Sequence, residues 1–558
     1  MKKRHLFWVI PSSLIVLLLL ISLFGHLFSP VKTMKMPFKI NAKDFLTKKD
    51  IKTDMKYLKY YFENMYAGYD LMVEKGFDID KISDEIYKTS MEKMGAKKKI
   101  DRSTVWHTIN DVLFREVNKT NIVDMHFSLG GTDSTPQKKL YFSDIYLKAE
   151  ESPTEEMSSG KTGKKYYVCK IQQDPYPEDI KKNLKILPQA DIKIGQEYTG
   201  AESNLYECFD GSEKVYRFAV SSNKSPVYAN ISLDGENIQT PVLPSINIGT
   251  TKRQGYVETK DTLYISLSDF VFSAGSSDYE ELGKRQFQEL CNNAKNLSKN
   301  KKHLIIDLRN NGGGQPFRRN AIFANLMYHN TELSLEMIRT IGNIGQENEL
   351  LMYSPAMASF YRKRFFDEIK NDLKNLEFKD YDSDFVFEVF EDEGIEDFLK
   401  SYYTAAFLDL FVPTRQMRKN TSYQGETAPL PEPDFKGDIY ILINRNSASC
   451  SEYSIALAYE FEKFDGIEVH LIGENTCGAV SFVNPRTIAL PKTAYWFYMP
   501  TALNLNSEAF RHPNYHGEGK GWYPEYWVTS FQIMSVLQNM IDDPDLAEAL
   551  KGIERRHL

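Results

Sequence analysis

The sequence predicts an α/β core, preceded along the chain by a helical region and a β-rich region. Two apolar runs, residues 304–308 (LIIDL) and 439–443 (IYILI), are each long enough for one buried strand. Helical patterns follow or precede them at residues 280–297 and 453–461. Alternating strands and helices are typical of a sheet that is covered by helices, so we expect these segments to form one core.

The region before the core is predicted to be helical. Apolar side chains recur there at helical spacing, as in Ile51, Met55, Leu58 and Phe62. Gly76 and Gly95 divide the region into three predicted helices. We expect these helices to form a cap on the core.

After the cap the sequence pattern changes to short β-like runs between turn residues, for example at residues 139–146 and 214–221. A charged helical insertion later interrupts the core. The predicted organisation is therefore a helical cap at 38–127, a β-rich domain at 128–250, the core at 255–340 and 435–545, and the insertion at 341–434.

Composition limits the class of protein. A chain of 558 residues exceeds the ~250–300 residues at which single cores stop growing, so several domains are expected. The net charge of -7 does not favour a nucleic-acid partner, which usually requires a basic face. Five widely spaced cysteines show no metal-binding pattern, and neither a Cys169–Cys208 disulfide nor two reduced thiols is excluded.

The amino terminus predicts a membrane anchor. Lys2, Lys3 and Arg4 precede a stretch without charged residues at 5–31, which suits one transmembrane helix with its amino end in the cytoplasm. A cleaved signal peptide is the alternative, although no small-residue cleavage motif follows the apolar centre. We expect residues 1–31 to be a signal anchor, residues 6–28 to cross the membrane, and the catalytic region to be periplasmic or extracellular.

Two turns carry the chemistry of the core. Residues 446–452 (NSASCSE) connect an apolar run to a helical pattern, and a helix start offers free N–H groups to a developing oxyanion. Residues 308–314 (LRNNGGG) end the other apolar run in glycines, which let the backbone approach a substrate closely.

The two turns resemble those of S41-type serine peptidases, in which the glycine turn precedes the serine turn along the chain, as it does here. This family includes carboxyl-terminal processing proteases, the tricorn core protease and retinoid-binding relatives. The matching motifs are D-x-R-x-N-G-G at 307–313, S-x-x-E at 449–452, IGENTCG at 472–478 and GWYPE at 521–525. The resemblance implies a ClpP/crotonase-like protease core and no cofactor or metal. Family members often insert a PDZ-like domain where this chain is β-rich, and residues 189–195 (QADIKIG) resemble one without a carboxylate-binding loop.

The resemblance selects Ser449 as the nucleophile, because the family serine lies three residues before the glutamate, here Glu452. This spacing excludes Ser447 and Ser451 from that role. As a helix cap, the alternative role for a small polar residue, Ser451 fits better than Ser449.

The base is predicted to be a histidine. Family members of the Ser-Lys type carry lysine where this chain has Ala479, so the resemblance points to the tricorn-like branch, which uses histidine. His126, in residues 122–129 (IVDMHFSL), matches the L-x-D-x-H segment of that branch. His512 and His516 are the alternatives.

Glu518 matches the glutamate that orients the histidine in the tricorn-like branch. Trp522 and Glu525 depart from the usual valine and aspartate nearby, and a solvent-exposed glutamate in a glycine-rich loop is the alternative reading. The oxyanion hole would combine the N–H of Cys450 with that of Gly313 or a neighbouring glycine.

The sequence therefore predicts a serine endopeptidase, similar to tail-specific proteases, that hydrolyses extracytoplasmic polypeptides through Ser449, His126 and Glu518. The alternative is a non-catalytic relative of the same fold that binds peptides or lipophiles. The sequence leaves open the substrate, the cleavage site and the oligomeric state.

Overall fold

The computed structural model describes part of the chain. The described residues are 40, 42–130, 132–133, 139–151, 164–171, 190–192, 205–209, 214–222, 228–233, 236–243, 255–270, 290, 293–314, 316–331, 335–346, 348–354, 356–357, 416–419, 429–505, 507–527 and 533–554.

The helices are α1 (Lys48–Met65), α2 (Tyr69–Glu74), α3 (Ile79–Met94), α4 (Arg102–Lys119), α5 (Pro316–Met327), α6 (Leu335–Asn343), α7 (Cys450–Phe461), α8 (Ile533–Met540) and α9 (Leu546–Glu554). A short 3-10 helix spans Ala509–Arg511.

The strands are β1 (Phe45–Leu46), β2 (Ile100–Asp101), β3 (Ser128–Leu129), β4 (Thr132–Asp133), β5 (Lys139–Glu151), β6 (Lys164–Ile171), β7 (Ala190–Ile192), β8 (Leu205–Phe209), β9 (Lys214–Ser222), β10 (Tyr228–Leu233), β11 (Glu236–Leu243), β12 (Gly255–Glu258), β13 (Thr262–Ser266), β14 (His303–Asp307), β15 (Leu350–Tyr353), β16 (Gln416–Lys419), β17 (Gly437–Ile443), β18 (Ile467–Gly473), β19 (Phe482–Ala489), β20 (Trp496–Leu503) and β21 (Tyr526–Trp527).

The chain divides into two compact units. Unit 1 comprises residues 1–135, 346–427 and 481–507, and unit 2 comprises residues 136–345, 428–480 and 508–558.

Unit 1 contains the predicted helical cap. Helix α1 begins with a capping box, in which Thr47 and Asp50 bond each other's backbone N–H groups. Asp78 and Asp101 cap α3 and α4 in the same region. The cap has one helix more than predicted, because the six-residue α2 is too short to produce a periodic pattern in the sequence.

A six-stranded sheet completes unit 1. Its order is β16-β15-β20-β3-β4, with β19 also paired to β20, and all of these pairs are antiparallel. Its core is aromatic: the Phe62 ring lies within 6.1 Å of the rings of Tyr66, Phe127 and Phe497, measured between centroids. This packing positions residues 124–129 between the helices and β20.

Unit 2 contains a 13-stranded sheet in the order β12-β13-β14-β17-β18-β21-β8-β9-β5-β11-β10-β7, with β6 paired to β5. Strands β13, β14, β17, β18 and β21 are parallel neighbours. The carboxyl ends of parallel strands meet at one edge of a sheet, which is where such folds place their sites. The turns after β14 and β17 therefore lie side by side.

The strands predicted at 304–308 and 439–443 are β14 and β17 in the structure. Strands β5 to β11 lie in the predicted β-rich region. Helices α8 and α9 pack on the sheet, where Val536, Leu537 and Leu550 join a buried cluster with Ile305 and Leu442.

Three predicted segments lie largely outside the described residues: the helix at 280–297, the PDZ-like segment at 189–195 and the charged insertion at 341–434.

The predicted fold class also included an amino-terminal transmembrane helix, and the structure contradicts this part of the prediction. Within the described part of the chain, no helix is both long enough and apolar enough to cross a membrane. A span needs about 20 apolar residues, whereas α1 and α4 have 18 residues each and carry charged side chains along their length. Residues 1–31, on which the prediction rested, lie outside the described residues.

Candidate active site

Ser449 lies in the turn between β17 and α7, and its backbone is strained. Its φ of 54° and ψ of -118° are unusual for a residue other than glycine. Such strain persists only where the surrounding structure enforces it, and it is concentrated at functional sites. The side chain is half-buried, at the start of the helix. This geometry presents a hydroxyl at the carboxyl edge of the parallel strands.

The helix begins three residues earlier than predicted, at Cys450, so Ser449 is its N-cap residue. Ser451, the residue that the sequence favoured as the cap, instead donates its hydroxyl to the Asn311 carbonyl at 2.8 Å. Its side chain therefore ties the helix to the glycine turn.

Further hydrogen bonds join the two turns. The Ser447 hydroxyl donates to the Leu308 carbonyl at 2.7 Å, and the Ala448 N–H donates to the Asn311 carbonyl at 2.9 Å. Both serine and asparagine are fully buried. The turn that carries Ser449 is thus fixed to the turn after β14.

Gly313 makes this contact sterically possible. Its φ is 95°, and a Cβ atom at this position would lie 2.7 Å from the Ala448 carbonyl oxygen, 2.8 Å from the Cys450 nitrogen and 2.8 Å from the Ser449 Cβ. Contacts this short do not occur for real Cβ atoms, so only glycine fits here.

The two predicted oxyanion donors differ in their present partners. The Cys450 N–H has no acceptor within the described ranges, as expected for the first turn of a helix. The Gly313 N–H donates to the Asn311 side-chain oxygen at 2.9 Å. Gly313 would therefore have to share or exchange that bond to serve an oxyanion.

Glu452 connects Ser449 to a third segment, residues 476–479. Its carboxylate accepts from the Ser449 N–H at 3.0 Å, the Thr476 hydroxyl at 2.6 Å, the Gly478 N–H at 2.8 Å and the Ala479 N–H at 2.7 Å. Burial raises the pKa of this carboxyl to about 7, against the lowering effect of these bonds. Glu452 thus links the strained turn at Ser449 to residues 476–479.

Ala479 occupies the place of the lysine in the Ser-Lys type. It is buried, and its N–H points to Glu452. A methyl group cannot accept a proton, so the chemistry of a base must come from another residue.

Glu518 lies in unit 2 next to this segment. Its Oε2 accepts from the Val480 N–H at 3.1 Å, so adjacent residues bond Glu452 and Glu518. The loop is held by close backbone packing, because a Cβ on Gly478 would meet the Gly517 oxygen at 2.6 Å. The backbone N–H of the buried Trp522 donates to the Thr476 hydroxyl at 2.7 Å. The structure therefore brings Ser449, Gly313, Cys450 and Glu518 into one unit.

His126 lies in unit 1, immediately before β3. It is half-buried, its backbone N–H donates to Asp124 Oδ1 at 2.9 Å, and its Nδ1 atom has no partner among the residues that the structure describes. Burial lowers the pKa of the ring to about 4, although a hydrogen bond with the Phe482 backbone acts in the opposite direction. This lowered pKa favours the neutral form of the ring.

The alternative histidines belong to unit 2 and are stacked on aromatic rings. The His512 ring lies 4.0 Å from the Tyr459 ring, and the His516 ring lies 3.7 Å from the Tyr523 ring. Burial lowers the pKa of both imidazoles.

Two residues of the site, Asn311 and Thr476, were not singled out from the sequence. Both are buried and polar, and both connect segments that are distant in the chain. Their positions inside the DLRNNGG and IGENTCG motifs were the available signal. Asp307 and Arg309 of the D-x-R-x-N-G-G motif form a buried ion pair at 2.6 Å.

Across the described ranges, no group of three or more histidine, cysteine, aspartate or glutamate side chains could hold a metal ion.

Comparison with known proteins gives one sequence match and several structural ones. No curated protein sequence matches the chain. Mature CPAF complexed with lactacystin aligns at 13% identity over 91% of this chain and 99% of that chain, with a TM-score of 0.38. The photosystem II D1 C-terminal processing protease aligns at 12% over 90% and 98%, with a TM-score of 0.31. A lipoprotein from Streptococcus agalactiae aligns at 14% over 51% and 68%, with a TM-score of 0.24.

These TM-scores are too low to bear on the fold or the activity of the chain. The sequence match is independent of them: residues 261–333 match the model of peptidase family S41. The matched segment contains β14 and the glycine turn that packs against Ser449. This segment of the chain is therefore similar to the S41 peptidases, which confirms the resemblance predicted from the sequence.

Proposed function

We propose that the protein is a serine peptidase that hydrolyses peptide bonds of polypeptides with Ser449 as its nucleophile. The observation that carries the proposal is the backbone of Ser449, which has a φ of 54° at a strand-to-helix turn packed against Gly313. A strained serine in such a turn is the arrangement that exposes a nucleophilic hydroxyl in other hydrolases.

In the proposed mechanism the Ser449 hydroxyl attacks the carbonyl carbon of the substrate and transfers its proton to His126. The negative oxygen of the tetrahedral intermediate binds the Cys450 N–H, which has no acceptor in the described part of the chain. His126 then protonates the leaving amine, and water hydrolyses the acyl-enzyme by the same route. Glu518 orients the imidazole and stabilises its protonated form.

The burial of His126 has two opposite effects on its proposed role as base. A pKa of about 4 keeps the ring neutral, but a base this weak gains little from taking a proton. A neighbouring carboxylate favours the protonated ring and would correct this weakness, which is the role proposed for Glu518.

We also propose that the substrates lie outside the cytoplasm. The support is the sequence alone, in which three basic residues precede an uncharged apolar stretch at 5–31. Fractionation of cells that express the full chain tests this, and recovery of the protein in the cytoplasmic fraction would contradict it.

The nucleophile can be identified by covalent labelling. A fluorophosphonate should label the full chain at Ser449, as located by peptide mapping, and Ser449→Ala should lose both the label and the hydrolysis of a peptide substrate. Ser451→Ala is the matched control, because Ser451 is two residues away and its hydroxyl is engaged with Asn311. Full activity of Ser449→Ala would refute the proposal, and peptide binding without turnover by the wild type would favour the non-catalytic alternative.

The base can be identified by comparing the three histidines. His126→Ala should reduce kcat/KM about as severely as Ser449→Ala, because the members of a triad act as a unit. His512→Ala and His516→Ala are the controls and should retain most of the activity. The reverse pattern would assign the base to unit 2.

A further inference from the structure

We propose that Asp124 and Tyr66 form a positioning pair that fixes the orientation of the His126 imidazole. The inference rests on the proposed function, in which His126 is the base, and it assigns to the pair a role that the reaction itself does not reveal. Neither residue touches the reacting atoms in this proposal; both act through His126.

Asp124 bonds the backbone of His126 directly, and Tyr66 bonds Asp124. Asp124 Oδ1 accepts from the His126 N–H at 2.9 Å, and Asp124 Oδ2 accepts from the Tyr66 hydroxyl at 2.9 Å. Asp124 is 1% exposed and Tyr66 is fully buried. The backbone of Phe127 also bonds this carboxyl. A buried carboxyl held by three groups has a single orientation, so it fixes the backbone from which the imidazole projects.

The tyrosine is itself immobilised by packing. Its ring stacks on Phe127, with centroids 4.7 Å apart and planes at 27°, and meets the edge of Phe62 at 6.1 Å. Phe127 follows His126 in the chain. The hydroxyl of Tyr66 and the backbone after His126 are therefore held by the same aromatic cluster.

Gly68 provides the space for this arrangement. A Cβ on Gly68 would lie 2.5 Å from the Tyr66 hydroxyl oxygen and 2.9 Å from the Phe482 ring. The Phe482 backbone is the hydrogen-bond partner of the His126 ring. Gly68 thus lets Tyr66 and Phe482 lie close together. Tyr66 acts on His126 through Asp124, and Phe482 bonds the imidazole directly.

The imidazole needs this support because the described residues provide no partner for its Nδ1 atom. In a triad the orienting carboxylate normally bonds that nitrogen, and the proton acceptor must point at the serine. Before such a carboxylate engages, the direction of the ring depends on its backbone anchor and on Phe482. Burial raises the pKa of Asp124 to about 7, and both forms of the carboxyl can accept the His126 N–H.

The test compares three variants in the full chain. Tyr66→Phe removes only the hydroxyl, Asp124→Asn keeps the shape of the side chain, and Tyr61→Phe is the matched control. Tyr61 lies in α1, which ends just before Tyr66; it is equally buried and donates its hydroxyl to the Ala489 carbonyl at 3.2 Å. We expect kcat to fall about tenfold or more in the first two variants, which corresponds to the loss of one bond to a charged group, with little change in KM. Tyr61→Phe should retain the wild-type kcat.

A second readout does not require activity. In a Ser449→Ala background, NMR titration of His126 should give a ring pKa of about 4, since the ring is shielded from water. In Tyr66→Phe and Asp124→Asn the loosened ring should become hydrated, and its pKa should rise towards the ordinary value of roughly 6.5. A purely structural role would lower the melting temperature without moving this pKa.

The two readouts separate the inference from the proposed function. An unchanged His126 pKa together with a wild-type kcat in Tyr66→Phe and Asp124→Asn would overturn the positioning pair, even with Ser449→Ala inactive. Wild-type activity of His126→Ala would overturn the proposed function, whereas a shifted ring pKa would still support the control of His126 by the pair.

Discussion

Gly313→Ala should disable the site while leaving most of the fold intact. The alanine Cβ would fall 2.7 Å from the Ala448 carbonyl oxygen and 2.8 Å from both the Cys450 nitrogen and the Ser449 Cβ. All three atoms belong to the turn that carries the proposed nucleophile, so this turn must move to admit the methyl group.

The size of the effect can be worked out from two contributions. A side chain at a φ of 95° costs about 1–2 kcal/mol, by comparison with other left-handed conformations. Overpacking by one methyl group costs about 1–3 kcal/mol. The free energy of unfolding should therefore fall by about 2–5 kcal/mol. A misplacement of reacting groups by about 1 Å costs roughly a hundredfold in rate, so kcat/KM should fall by at least that factor.

Gly312→Ala is the matched control, because a Cβ at Gly312 meets nothing within 4 Å and its φ is not positive. Urea unfolding and peptide hydrolysis should be measured for both variants. A kcat/KM of Gly313→Ala within twofold of that of Gly312→Ala would refute the reasoning that this glycine exists to admit the serine turn.

Three further predictions concern buried carboxyls and histidines. Glu452→Ala should lower the free energy of unfolding by about 3 kcal/mol or more in urea titrations, because it leaves four donors without their acceptor; an unchanged value would mean that water replaces the carboxylate. With the pKa of His126 lowered to about 4, kcat/KM should fall as the pH drops through that value, and a midpoint near 6.5 would show that Glu518 already raises the ring pKa in the free enzyme. Burial lowers the pKa of His470, but Glu525 and neighbouring carboxylates raise it by more. The stability that the His470–Glu525 pair contributes should be complete below the unfolded pKa of about 6.5 and should be lost as the pH rises through the raised folded pKa. Glu525→Gln should flatten that dependence in melting temperatures recorded against pH.

Much of the core could be predicted because its strands are continuous apolar runs. Residues 439–443 differ from β17 only at the first two positions, Gly437 and Asp438, whose polarity conceals their pairing with the neighbouring strands. The short α2 in the cap left no trace, because six residues are too few for a helical period. Local patterns report long buried elements and miss short ones.

The predicted site residues came from motifs, and the structure adds what motifs cannot carry. Spacing alone assigned the helix cap to Ser451, because nothing in the sequence shows that Ser449 has a positive φ. The reach of Glu452 to residues 476–479 depends on the pairing of β17 with β18, which brings distant segments together. The bond from Tyr66 to Asp124 depends likewise on the stacking of the Tyr66 ring on Phe127, which no local pattern shows.

The strained backbone of Ser449 determines when a newly made chain can become active. Its conformation is held by Gly313 and by Glu452, and Glu452 is held in turn by Ala479. An emerging or partly folded chain lacks these contacts, and its serine relaxes to an ordinary backbone with no organised oxyanion site. In the proposed mechanism hydrolytic activity therefore requires that these contacts have formed, so copies still being synthesised cannot hydrolyse one another.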